Sequence, residues 1–178
     1  ATLPITGSNF TLGPGWGAFE FVSGNDISAA TNIDVQSLAT GYDYLFCIQG
    51  AIPATDAALL YCKFFQSATI VEASSDYAGQ TGAQVYIRLS SQTAGNAAKE
   101  GISGEILFTE PNVADRVKRV YAYRLAEANP NGTHEYQAEH AVGRLNKNTD
   151  ACDGIRFYWS SGDWQAEGKI YTFRRRLS

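Results

Sequence analysis

The sequence predicts an all-β protein: a two-sheet antiparallel β-sandwich, jelly-roll-like, with an extended N-terminal arm. Three observations carry that expectation. Short runs of β-branched and aromatic residues with alternating polarity recur along the chain, each ended by Gly, Pro, Asn or Asp. No segment makes a convincing amphipathic helix. The composition is 44% hydrophobic and only 18% charged, with 10 Tyr, 9 Phe and 17 Gly in 178 residues. That describes a folded chain and not a disordered one, long enough to bury a substantial core as one domain.

Residues 1–15, ATLPITGSNFTLGPG, are rich in Gly, Pro, Ser and Thr and read as the extended arm. Residues 16–178 read as the single sandwich domain. WGAFEFV (16–22) opens it, with Trp16, Ala18, Phe21 and Val22 giving a mixed face. TNIDVQSL (31–38) alternates more cleanly, with Ile33, Val35 and Ser37 on one side. YDYLFCIQG (42–50) and ALLYCKFF (58–65) flank AIPATDA, where Pro53 and Asp56 signal a turn. Pairing the two runs about that turn places Cys47 opposite Cys62 across a hairpin. A cross-strand disulfide and two small buried thiols are both open there.

AQVYIRLS (83–90) and GEILF (104–108) follow. RVKRVYAYRLAEA (116–128) contains helix-favouring Ala, Arg and Glu. Its period is nearer two, with Tyr121, Tyr123 and Leu125 on one face, so it is expected as a strand. The stretch 129–132, Asn-Pro-Asn-Gly, is a turn. THEYQAEHAVGRL (133–145) is the next run, and GIRFYW (154–159) and GKIYTF (168–173) close the domain as a last hairpin. GISGEILF and AEGKIYTF echo each other, as two strands entered through tight turns. The total is roughly nine or ten strands, the number and spacing of a sandwich or related barrel.

Overt chemistry is sparse. A net charge of -4 gives no electrostatic case for nucleic acid. No apolar run approaches the length of a membrane span, and residues 1–15 lack the basic start and apolar middle of a leader. Cys47, Cys62 and Cys152 form no metal-type pair, and their odd number favours assembly in a reducing cytoplasm. His134 and His140 are separated by a stretch of strand spanning roughly 20 Å, too far to share an ion, so no metal or cofactor is expected. Glu20, Glu105, Glu135 and Glu139 are carboxylates of the kind a glycosidase pairs across a cleft, but nothing in the sequence pairs them. With no nucleophile elbow and no phosphate loop, the expectation is a protein that is not an enzyme.

The candidates for ligand or partner contact lie in GIRFYWSSGDWQAEGKIYTFRRR (154–176). Alternation sends Ile155, Phe157 and Trp159 to the core and Arg156 and Tyr158 to the other face. Trp164, beside Asp163, sits in the turn region, where a large ring has no evident core to enter. Loop staple, subunit contact and ligand contact are all open for it. Arg174, Arg175 and Arg176 suit a solvated edge that discourages edge-to-edge pairing, or a contact with acidic patches on a neighbouring subunit.

Three segments, YDYLFCIQGAIPATDAALLYCKF, GISGEILFTEPN and GIRFYWSSGDWQAEGKIYTF, resemble strands of a family of small β-sandwich structural proteins from tailed-bacteriophage virions. The likeness is a Tyr-rich strand, Pro/Asp turn and Leu-rich strand, then a mid-domain strand ending in a Pro/Asn loop, then a C-terminal hairpin. The chain departs from that pattern in Trp164 and in its arginine run. The resemblance implies a virion component assembled in the host cytoplasm: a tail or head appendage, or a capsid decoration. It also implies contacts with other virion proteins, a homo-oligomer with a trimer favoured, and contact of some members with host-surface glycans. A carbohydrate- or receptor-binding module, with Trp164 as its exposed ring, is the competing expectation, and a glycan hydrolase the third.

Overall fold

The computed structural model describes residues 18–79, 82–90, 93–98, 100–128 and 137–177. The N-terminal arm, Trp16, the turn at 129–132, His134 and Glu135 lie outside them. The described residues hold thirteen strands and no helix. These are β1 (Glu20–Asp26), β2 (Asn32–Gln36), β3 (Tyr42–Ala51), β4 (Leu60–Gln66), β5 (Thr69–Ile70), β6 (Tyr77–Gly79) and β7 (Gly82–Gln84). They continue with β8 (Ile87–Arg88), β9 (Gly101–Thr109), β10 (Arg119–Ala128), β11 (Gln137–Leu145), β12 (Gly154–Trp159) and β13 (Lys169–Arg176). The larger sheet has eight strands in the order β1-β13-β3-β9-β10-β11-β6-β7. The smaller runs β2-β12-β4-β5, with β8 also on β4. All strand pairs are antiparallel, and the two sheets pack as the sandwich the sequence predicts.

The inner faces follow the alternation. Tyr44, Phe46 and Ile48 of β3 point inward, as do Ile106 and Phe108 of β9 and Ile155, Phe157 and Trp159 of β12, and all are buried. Phe46 meets Phe157 edge-on at 5.3 Å between centroids, and Phe64 stacks on Phe108 at 4.4 Å, joining the sheets. β10 is a strand despite its helix-favouring composition, because Val120 and Ala122 fill the core at every second position. The two echoing segments flank β3 on either side as β9 and β13, so they meet the same neighbour. Gly143 lets β11 approach β8: a Cβ there would lie 2.2 Å from Ile87.

Neither expected hairpin forms. β3 and β4 lie in different sheets, and so do β12 and β13. Cys47 therefore faces Tyr171 and Glu105, Cys62 faces Phe157 and Ile87, and all three cysteines are free thiols. The physical reason is long-range: the two connections pair with each other at Pro53 and Trp164, and Trp164 packs on Trp159, which holds them across the corner and not in local turns. The connections are long enough to cross the roughly 10 Å between sheets, and crossing lets both strands of each pair turn an apolar face to the same core.

The connection from β1 to β2 crosses at the same corner. The three crossings stay hydrogen-bonded through the bend. The Trp164 N–H donates to Ala30 O at 2.9 Å, Gln165 N–H to Ile52 O at 2.9 Å, and Ala54 N–H to Asp163 O at 2.7 Å. The three-stranded ribbon β1/β13/β3 thus folds over to become β2/β12/β4. Gly162 serves the bend with φ of 72°, and a Cβ there would strike Thr55.

Candidate docking face

A sandwich needs only one apolar face per sheet, and the outer faces ordinarily carry polar residues. The smaller sheet has outward aromatics, Tyr61, Phe65 and Tyr158, and covers Phe65 and Tyr158 with charged side chains that are paired within the chain. Its outward Arg156 forks onto Asp34 with two 2.7 Å bonds, and Lys63 pairs with Glu72 at 3.1 Å. Lys63 also lies over the Tyr158 ring, and Tyr61 stacks on Tyr86 at 4.1 Å.

The larger sheet departs from the rule. The ladder registers align Phe21, Phe173, Leu45, Leu107, Tyr121 and Val142 in one row across six adjacent strands. Every member points away from the core. Phe21 is 61% exposed and Val142 51%, and the four between are half-buried by one another. Phe21 meets Phe173 edge-on at 5.7 Å.

On one flank, Tyr171, Cys47, Glu105 and Tyr123 face each other across their strands. Burial, and then the nearby Glu105 carboxylate, push the Cys47 thiol up from its ordinary value. On the other flank Arg175 opposes Asp43, while Thr109, Arg119 and Arg144 sit in register. Arg119 and Arg144 are exposed and directly opposite one another, an arrangement of like charges that costs stability. Neither they nor Glu105 has an ion-pair partner among the described residues. A shallow depression of about 290 Å³ beside Val142 is lined by Ala78, Arg119, Gly143 and Arg144.

The residues singled out in the sequence fall elsewhere. Trp164 is 0% exposed and packs on Trp159 at 5.0 Å. It is the staple of the folded corner, because the segment that resembles a solvent turn is a connection crossing between the sheets, bridged to Pro53, that turns the ring inward onto Trp159. The ligand-contact and subunit-contact roles lose their exposed ring, and the carbohydrate-module expectation loses its anchor.

Asp163 is exposed, and its backbone serves the corner. Arg174 pairs with Glu20 and lies over the Tyr42 ring at 4.4 Å. Arg175 pairs with the buried Asp43 at 2.6 Å, and Asp43 also accepts the Glu110 N–H. Arg176 is exposed. Two of the three arginines are thus held within the chain.

Among the described residues no group of His, Cys, Asp and Glu could hold a metal ion. Of the carboxylates considered for glycan hydrolysis, Glu20 sits at the β1 edge and Glu105 on the outer face. Glu135 and the side chain of Glu139 lie outside the described residues.

The outer row was partly visible in the sequence. The alternation that puts Tyr121 and Tyr123 on one face is the row's own signature in β10. Which face is outward depends on Val120 and Ala122 being the better core residues, and the alignment with Phe21 and Leu45 depends on long-range register. The chain matches no family model, no curated protein and no solved structure.

Proposed function

We infer that the protein is a non-enzymatic structural component that assembles through the outer face of its larger sheet. The observation that carries this reading is the apolar row from Phe21 to Val142, which crosses six strands on a face that a solitary sandwich would cover with polar groups. Burying that row offers the non-directional gain on which protein association depends. The resemblance of three sequence segments supports a place in a tailed-phage virion, as an appendage or a capsid decoration, in contact with other virion proteins.

The double variant Phe21→Ser/Val142→Ser tests the docking reading, since both side chains are exposed and contribute little to the core. It should keep its circular dichroism spectrum and unfolding midpoint, yet fail to enter assemblies or particles. Unimpaired incorporation would refute the reading. Mass spectrometry of purified particles tests the virion setting, which fails if the chain is absent from them.

A further inference from the structure

We propose that a second copy of this chain covers the outer face of the larger sheet, with a two-fold axis lying along the Phe21–Val142 row. The proposal rests on the docking reading above and names the partner for that face.

Two charges beside the row have no ion-pair partner among the described residues. Glu105 lies on one flank of the row and Arg119 on the other, on the adjacent strands β9 and β10. Within one chain they cannot meet: Glu105 is opposite Tyr123, and Arg119 is opposite Thr109. A two-fold axis along the row exchanges the flanks. It sets Glu105 of one copy over Thr109 and Arg119 of the other, and repeats the contact on the far side. The same operation lays Arg119 over Tyr123, a cation on an aromatic face, and stacks the apolar row on itself. An isologous contact requires this self-complementarity, since each patch must answer its own image.

The size suffices. Six strands about 4.8 Å apart and three rows about 7 Å apart give roughly 600 Å² per copy and about 1,200 Å² in total, the lower end of specific interfaces. The smaller sheet's outer face offers no such match, because its charges are satisfied within the chain.

The experiment is sedimentation equilibrium on the full chain and two charge variants, Glu105→Arg and Arg119→Glu, alone and mixed. The wild-type chain should form particles with an even number of copies. Each variant alone places like charges across both contacts and should raise the dissociation constant by about tenfold or more. An equimolar mixture of the two variants restores opposite charges at both contacts, so it should regain the wild-type affinity. A wild-type monomer, variants that associate as the wild type does, or a mixture without rescue would each overturn the two-fold arrangement. An even-numbered assembly that appears only on removing residues 1–15 would also overturn it, since the chain's own arm would then be the occupant. If the chain is monomeric but Phe21→Ser/Val142→Ser still blocks particle entry, the docking reading stands and the second copy is the wrong partner.

Discussion

Replacing Trp164 with Ala should remove the staple of the folded corner and cost about 3 kcal/mol. The ring is fully buried and lies against Trp159. The change withdraws roughly 150 Å² of buried apolar area, about 4 kcal/mol at ~25 cal/mol per Å². Its indole Nε1–H finds no acceptor among the described residues, so removing that unmet donor returns about 1 kcal/mol. Trp164→Phe keeps most of the area and also removes the donor, so it should cost about 1 kcal/mol. Urea unfolding followed by far-ultraviolet circular dichroism reads both. With a slope of about 2 kcal/mol per M, Trp164→Ala should lower the midpoint by about 1.5 M and Trp164→Phe by about 0.5 M. A Trp164→Ala midpoint within about 0.2 M of the wild type would refute the staple. Such a result would return Trp164 to the role of a dispensable contact residue.

Arg175→Ala strands the buried Asp43 carboxylate and should cost about 2 kcal/mol, whereas the exposed Arg176→Ala should stay within about 0.5 kcal/mol by the same urea assay. Equal effects would show that the arginine run is uniformly solvated. The buried Lys118 ammonium donates to the carbonyls of Val113, Arg116 and Thr149 at 2.5, 2.6 and 3.0 Å, tying two loops together. Lys118→Met leaves those acceptors without a donor and should cost about 3 kcal/mol, lowering the melting temperature by about 8 °C; an unchanged melting temperature would contradict this.

Burial pushes the Cys62 thiol up, and Cys152 up to about 12, so neither should react with Ellman's reagent in the folded protein at pH 8, while all three cysteines react in urea. The folded chain keeps these protons where the unfolded chain, with thiols near pH 8.5, releases them, so stability should fall as the pH rises from about 8.5 towards 12. A urea midpoint that rises between pH 8 and pH 10 would contradict that sign.

The strands were legible wherever one face is buried, because alternation records the core directly. Ile155, Phe157 and Trp159 are the clearest case, and Tyr121 and Tyr123 show the same period with the opposite destination. The pairing of strands was not legible. Pro53 and Asp56, like Gly162 and Asp163, mark a chain reversal in sequence, but the same residues suit a connection that crosses between sheets. Local chemistry does not separate a hairpin from a folded corner. The difference lies in the contact of residues 52–54 with 163–165 and of Trp164 with Ala30, which are far apart in the chain.

That is also why the sequence shows no core for the Trp164 ring, and why mirror pairing about Pro53 and Asp56 sets Cys47 opposite Cys62. The short strands β5, β6 and β7 carry too few residues for a period to show. The outer row was legible only in part for a related reason: alternation marks Tyr121 in β10, but only the register of six strands brings it into line with Phe21, Leu45 and Val142.

Cys47 supplies the most direct test of the covered face. It is half-exposed beside the row, between Tyr171 and Glu105, while Cys62 and Cys152 are buried, so a bulky maleimide reports on the outer face alone. If the face is covered in the assembled protein, Cys47 should be alkylated at least about tenfold more slowly in the wild-type assembly than in Phe21→Ser/Val142→Ser. Equal rates in the two proteins would contradict the account.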